Sequence, residues 1–163
     1  MSELALPKVD RNIISKKSLI VSDLKKIVNK DNVLSELDEI KPYETDALAV
    51  YKNTPLAVVL PENTQEVSEI LKYCNNENIK VIPRGAGTGL SGGALPLKDA
   101  IVLGLGKFNK ILEIDFNNRC VVTQPGVTNL SITHAVKHKG YYYAPDPSSQ
   151  LACSIGGNVA ENS

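Results

Sequence analysis

Apolar residues follow two periods along this chain. Leu56-Ala57-Val58-Val59-Leu60 and Ile101-Val102-Leu103-Gly104-Leu105 are short, wholly apolar runs, the pattern of strands buried on both faces. Between them the period changes: Val67, Ile70, Leu71 and Cys74 recur at i, i+3, i+4, i+7, one helical face. Pro61 ends the first strand. Asn63-Thr64-Gln65-Glu66 has the form of a capping box, with Asn63 as N-cap and Glu66 at N3. Residues 79–83, Ile-Lys-Val-Ile-Pro, are the next strand. Strand, helix and strand predict a parallel βαβ unit with a right-handed crossover.

The flanks are weaker. Residues 8–17 predict a weakly amphipathic helix with Val9, Ile13 and Ile14 on one side. A clearer helix is predicted from Ser22 as N-cap to Lys30, with Leu24, Ile27 and Val28 at i, i+3, i+4. A short helix is predicted over 35–40, ended by Pro42, with a loop to Pro55. Downstream, residues 109–116 and 119–124 predict a hairpin about the turn Asn117-Asn118. Thr128 caps a helix over 129–139, with Gly140 at C′. Tyr141-Tyr142-Tyr143 reads as a short extended piece. Residues 144–149 must be loop, because two prolines flank Asp146.

The stretch after the 79–83 strand carries the candidate chemistry. Arg84-Gly85-Ala86-Gly87-Thr88-Gly89-Leu90-Ser91-Gly92-Gly93 holds five glycines, two hydroxyls and one arginine in ten residues. So many glycines are costly to order, and the cost is justified where backbone must closely approach a ligand. Successive N–H groups then form a concave anion site. A mononucleotide P-loop is excluded, because the loop has no lysine. Residues 87–92 match G-x-G-x-x-G, but no helix follows Gly93, as a Rossmann turn requires. The remaining fit is a loop between strands that holds a diphosphate with backbone N–H groups, aided by Thr88 and Ser91. Arg84 either pairs with that diphosphate or with a nearby carboxylate.

Composition narrows the field. Lys plus Arg is 18 and Asp plus Glu is 18, so no basic excess points to nucleic acid. No apolar run reaches the length of a transmembrane helix. Residues 1–7 lack the basic start and apolar core of a secretory leader. Three scattered cysteines form no CxxC pair, which fits reduced thiols in a cytoplasmic protein. His134 and His138 are spaced i, i+4, but no nearby carboxylate completes a metal site and Lys137 and Lys139 crowd them; they read as a solvated helix face. The chain stops within Gly156-Gly157-Asn158-Val159-Ala160-Glu161-Asn162-Ser163, a second glycine-rich motif with no closing strand or helix after it, and so reads as part of a longer one.

Pro83 to Gly93 resembles the diphosphate loop of the FAD-binding domain in the vanillyl-alcohol oxidase / p-cresol methylhydroxylase superfamily. Gln124-Pro125-Gly126-Val127 is similar to the turn that follows that domain's hairpin. Pro145-Asp146-Pro147-Ser148-Ser149 and the segment from Cys153-Ser154-Ile155 through Gly156, Gly157 and Asn158 to Asn162 and Ser163 are similar to its later flavin-binding segments. The wording of these motifs is similar to that in the FAD subunits of glycolate oxidases and in D-lactate dehydrogenases.

The resemblance implies an α+β fold of two lobes: a small parallel βαβ lobe over about 55–105 and an antiparallel lobe starting near Ile111, with FAD between them. Residues 1–40 would form an N-terminal helical segment and 41–163 an incomplete FAD-binding domain. The rest of the antiparallel lobe and the substrate domain would lie beyond Ser163. It implies that the backbone of Gly85, Ala86, Gly87, Thr88, Gly89, Leu90, Ser91, Gly92 and Gly93 binds the diphosphate, next to Pro83 and Arg84. Pro125, Gly126 and Val127 would contribute to the same site. Pro145, Asp146, Pro147, Ser148 and Ser149 would lie near the flavin or ribityl chain, unless they are only a rigid proline turn. Gly156, Gly157 and Asn158 would let backbone approach the flavin, with the Asn158 amide bonding it. Cys153 reads as a small buried residue within that segment. Some superfamily members attach flavin through a histidine in or near the glycine loop. No His or Cys lies within 84–93, so FAD is expected to be non-covalent.

The activity implied is that of a D-2-hydroxy-acid oxidoreductase, most like glycolate oxidase, moving the α-hydrogen of a small 2-hydroxy acid as hydride to flavin N5. No catalytic base or metal ligand is expected among these residues. The alternatives are a D-lactate or D-2-hydroxyglutarate dehydrogenase, an alkylglycerone-phosphate synthase, or a nucleotide-binding module without catalysis. Partner subunits of a glycolate oxidase complex are implied, with a cytoplasmic location peripheral to the inner membrane through them.

Overall fold

The two apolar runs become the centre of a four-stranded sheet. In this computed structural model, which describes residues 7–162, β1 (Val33–Leu34), β2 (Ala57–Val59), β3 (Lys80–Arg84) and β4 (Ala100–Gly104) lie in the order β1-β2-β4-β3. The expected lack of a leader over residues 1–6, and Ser163 in the last motif, fall outside the described residues. β2 and β3 are parallel to each other, as the βαβ pattern predicts, but β4 is inserted between them and pairs with both. Burial explains the order: β2 and β4 are buried throughout, whereas β3 carries the partly exposed Lys80 and the exposed Pro83. Proline cannot donate to a ladder and is placed on an edge strand. β1, too short to leave a pattern, closes the other edge antiparallel to β2.

The pleat divides the core. Ala57, Val59, Ile101 and Leu103 face one cluster with Ile20, Leu24, Ile70 and Cys74; Val58 and Val102 face a second with Ile40. Helices α1 (Arg11–Ser15), α2 (Lys17–Ile27), α3 (Leu37–Ile40) and α4 (Thr64–Asn76) surround the sheet, with α2 and α4 covering the first cluster. Asn63 caps α4, accepting from the Glu66 amide at 2.9 Å. Glu66 reaches back to the Glu62 amide at 2.7 Å instead of closing on the Asn63 amide. Ile70 and Cys74 are buried, but Leu71 is 44% exposed and lies outside the predicted core face.

Ser22 is not an N-cap. It lies inside α2, which starts five residues earlier, directly after α1. Ile20, Leu24 and Val28, all buried, set the helix by packing at i, i+4, i+8. Val9 and Ile14 are exposed, so only Ile13 of the predicted first face is buried. α3 is capped by Glu36 and Glu39. It stops at Ile40, ahead of Pro42 as expected, and Pro42 itself lies in a 3-10 turn, Lys41–Tyr43. The N-terminal segment is fastened by Asp99, 2% exposed, which accepts from the Asp10 amide at 2.8 Å and Lys80 Nζ at 2.7 Å.

A separate hairpin, β5 (Ile111–Asp115) and β6 (Cys120–Thr123), begins the antiparallel part. Its turn is held by Asp115 Oδ1, which accepts from the Asn117 and Asn118 amides. α5 (Asn129–Val136) comes next, capped by Thr128, and ends through a 3-10 turn at Gly140, whose φ of 76° is the left-handed conformation predicted for C′. That change of helix type separates His134 from His138, so the two do not share one α-helical face. His138 packs edge-on to Phe116. Residues 141–143 form no strand. The final glycine motif, to which the sequence pattern assigns no element, forms a helix, α6 (Ile155–Glu161), with Ser154 as N-cap. Burial of Cys153 and Ser154 anchors its start despite the poor helix propensity of Gly156 and Gly157.

Candidate FAD site

After β3 the chain needs a turn that is neither helix nor ladder. Residues 85–93 make it, and Leu95 closes it by donating to the Gly92 carbonyl at 3.1 Å. Residues 94–99 then lead to β4 without a helix, as expected for a loop between strands. The decisive property is the set of groups the loop leaves unpaired. No backbone N–H of residues 85–93 finds an acceptor among the described residues. One of its carbonyls, that of Gly87, accepts from the Ala47 amide at 2.9 Å. Unpaired N–H groups gathered in one loop are an anion receptor, and leaving them without a partner in the dry state is costly.

This loop is one wall of a cleft of about 730 Å³. Pro83, Arg84, Gly85, Ala86, Gly87, Thr88, Gly89, Leu90, Ser91 and Gly93 line it. The opposite wall is Pro125, Pro147, Ser149, Ser154, Gly156, Gly157 and Asn158. The other three motifs thus meet the glycine loop across one space. Close approach explains the glycines there. A Cβ on Gly85 would overlap Ser154 Oγ, and one on Gly156 would lie 2.6 Å from Pro125 Cβ.

Several expected site residues do not line the cleft. Gly92 is turned to Leu48. Gly126 and Val127 sit behind Pro125: Gly126 is pressed against the Leu105 and Phe108 carbonyls, and Val127 is buried and accepts from the Ile155 amide. Cys153 is buried, its Sγ 3.5 Å from Asn129 Oδ1. Asp146 and Ser148 are exposed outside the lining, and Asn162 ends α6 with a φ of 52°. The Pro145 carbonyl accepts from Asn129 Nδ2 at 3.2 Å.

Asn129 is the residue that sequence reasoning missed. It is 1% exposed, and its Oδ1 also accepts from Asn158 Nδ2 at 2.6 Å. It therefore ties the proline loop, Cys153 and α6 together from the first turn of α5. A polar residue beginning an otherwise apolar helix face was the signal available. Asn158 itself is directed to Asn129 in this structure.

Charge in the cleft is mixed. Arg84 is 9% exposed; burial lowers its pKa from the usual arginine value, opposed by the charge of Asp46. Its Nη1 donates to the Thr45 carbonyl at 2.8 Å and the Ala94 carbonyl at 3.4 Å. Glu161, the acidic side chain lining the cleft among the described residues, accepts from Ser91 Oγ. Thr88 is half-buried within the loop. An electropositive cradle of amides, a concave volume and glycine-permitted backbone contact fit the diphosphate and ribityl portion of a dinucleotide. The described residues contain no cluster of His, Cys, Asp or Glu able to hold a metal.

Comparison with known proteins agrees with this geometry. The chain is 49% identical over 158 residues to the glycolate oxidase subunit GlcD of Escherichia coli, covering 97% of this chain and 30% of that protein. It is 35% identical over 142 residues to the mitochondrial D-2-hydroxyglutarate dehydrogenase of Arabidopsis thaliana, covering 87% of this chain and 25% of that one. The chain thus spans about 30% of the length of these relatives or less. Among solved structures it superposes on 4-ethylphenol oxidase from Gulosibacter chungangensis with a TM-score of 0.78 at 25% identity, over 94% of this chain and 30% of that one. It superposes on p-cresol methylhydroxylase with a TM-score of 0.77, over 93% and 30%; at 24% identity that likeness shows the fold. No helix among the described residues is long and apolar enough to cross a membrane. The family profile described as FAD binding domain matches residues 55–163, and with the α+β fold of the p-cresol methylhydroxylase type this chain belongs to that FAD-binding family.

Proposed function

We propose that this chain is the FAD-binding part of a flavin-dependent D-2-hydroxy-acid oxidoreductase, with glycolate as the leading substrate. The observation that carries the reading is the row of N–H groups over 85–93 without an acceptor among the described residues, in a chain 49% identical to a glycolate oxidase subunit. FAD, when bound, supplies a two-electron acceptor for the substrate α-hydrogen. The chain's own work is positional. The loop amides neutralise the diphosphate, Thr88 and Ser91 add hydroxyl donors, and Pro125, Pro147, Ser149 and the Ser154–Asn158 segment shape the opposite wall. Gly92, Gly126, Val127, Pro145, Asp146, Ser148, Cys153 and Asn162 belong to the site as its supports. FAD is held non-covalently, since no His or Cys occurs in 84–93.

The proposed division falls at residue 40: residues 1–40 are an N-terminal helical segment, whose described part braces the sheet, and 41–163 are the incomplete FAD-binding domain. Further subunits of a glycolate oxidase complex are the proposed partners. The proposed location is cytoplasmic, peripheral to the inner membrane through those subunits. The 35% identity to a D-2-hydroxyglutarate dehydrogenase favours that substrate as the second reading.

Absorbance of the purified full-length protein tests the cofactor, and flavin bands are expected. Reduction of those bands by glycolate, D-lactate or D-2-hydroxyglutarate then assigns the substrate. Gly89→Val locates the diphosphate. An added Cβ at Gly89 meets only Glu161 Cδ at 3.9 Å, so the protein itself has room for it. Loss of FAD binding with unchanged folding is the expected result. Binding equal to wild type would move the diphosphate elsewhere.

A further inference from the structure

Arg84 is the one guanidinium lining the cleft among the described residues, yet its hydrogen bonds run away from it. It ends β3, paired in register with Gly104, and its side chain passes beneath the loop. Nη1 donates to the Thr45 carbonyl at 2.8 Å and, more weakly, to the Ala94 carbonyl at 3.4 Å. A Cβ on Gly87 would overlap the guanidinium, so the cation lies directly against the middle of the loop. The Tyr43 ring supports it, 5.5 Å from Arg84 Cζ to the ring centroid.

The segment around Tyr43 forms the rear wall. The Ala47 amide donates to the Gly87 carbonyl, Leu48 packs near Gly92, and Asn53 closes the segment by donating to the Glu44 carbonyl at 2.9 Å. Asp46 is 6% exposed; its Oδ1 accepts from the Leu48 amide at 3.0 Å, and its Oδ2 is buried without a hydrogen-bond partner among the described residues. A buried carboxylate oxygen left unpaired is costly. It is tolerated here beside the buried Arg84 charge.

We propose that Arg84 is a positioning residue for the FAD diphosphate: it shapes the loop from behind and sets a positive charge beneath its outward N–H groups, while Asp46 moderates that charge. The proposal rests on the reading that the loop binds a diphosphate. It assigns segment 43–48 to the cofactor site although that segment does not line the cleft. Both carbonyls are reached from Nη1, while the rest of the planar guanidinium lies against Gly87, a flat, delocalised contact that a lysine ammonium does not reproduce.

The test is titration of FAD-free full-length protein with FAD and with riboflavin, which lacks phosphate, at low and high salt. Arg84→Met is expected to weaken FAD binding about tenfold or more, the scale of one unit charge acting on the diphosphate from a partly buried position. Riboflavin affinity should not change, and the salt dependence of FAD binding should fall. Arg84→Lys should restore part of the FAD affinity. Asp46→Asn, which keeps an acceptor for the Leu48 amide, should tighten FAD binding, the opposite of what loss of a merely structural contact would do. If Arg84→Met does not fold, Arg84→Lys and Asp46→Asn carry the test. Equal losses for FAD and riboflavin, unchanged FAD affinity in the Arg84 variants, or weaker FAD binding in Asp46→Asn would overturn the proposal. Should Gly89→Val abolish FAD binding while the Arg84 variants leave it unchanged, only this inference fails; unchanged binding in Gly89→Val sinks the underlying reading instead.

Discussion

Replacing Gly87 by alanine should loosen the loop far more than the same change at Gly92 or Gly89. Gly87 has a φ of +73°, and its missing Cβ would occupy the space of the Arg84 guanidinium. The left-handed conformation costs an alanine about 1–2 kcal/mol. Displacing Arg84 breaks its bond to the Thr45 carbonyl and strands a buried polar group, about 1–3 kcal/mol more. The sum is roughly 2–5 kcal/mol. Gly92 shares the backbone problem at φ +80°, but its nearest neighbour is Leu48 Cδ2 at 3.9 Å, so only about 1–2 kcal/mol applies. Gly89 has neither penalty and should change stability by less than about 0.5 kcal/mol. The Ala47 amide reports this locally, because it donates to the Gly87 carbonyl. Hydrogen exchange of the peptide around residue 47 should be at least about 30-fold faster in Gly87→Ala, intermediate in Gly92→Ala and unchanged in Gly89→Ala. Equal protection in Gly87→Ala and Gly89→Ala would refute the placement of Arg84 beneath the loop.

Three further outcomes are expected from the same structure. Asn129→Leu removes one partner of Asn158 and the amide that bonds the Pro145 carbonyl, at a site 1% exposed; it should cost about 2–3 kcal/mol in chemical denaturation and release protection over 145–158. Glu161→Gln removes the acidic group facing the loop donors and should tighten FAD binding at low salt, an effect that 1 M salt, with a Debye length of about 3 Å, should largely erase; unchanged affinity would place Glu161 away from the bound anion. Burial alone would raise the Asp99 pKa, but the bonds from Lys80 and the Asp10 amide hold it below the usual aspartate value. A lowered native pKa gives stability that is complete above the unfolded value, about 3.9, and is lost as pH falls through the native one. Acid unfolding should therefore be less steep below about pH 4 in Asp99→Asn, and an identical acid limb would exclude that role.

The sequence alone determined the central strands, α4 with its Asn63 cap, the hairpin and the loop between strands. Each rests on a local cause: an unbroken apolar run, a helical period, a side-chain cap, or glycine where backbone must turn. It also separated this loop from a Rossmann turn, because the residues after Gly93 cannot begin a helix there. Tertiary structure decided the rest. Which strand sits between β2 and β3 depends on burial competition, which no local pattern encodes. The start of α2 was set by Ile20 and Leu24 packing on the sheet, against the capping signal of Ser22. α6 formed across two glycines because Cys153 and Ser154 anchor it. The direction of Arg84 was open in the sequence, which allowed the diphosphate or a nearby carboxylate as its partner; the structure gives it backbone carbonyls instead. Residues 43–48, roughly forty positions upstream, supplied the carbonyl, the ring and the buried carboxylate that draw it to the rear.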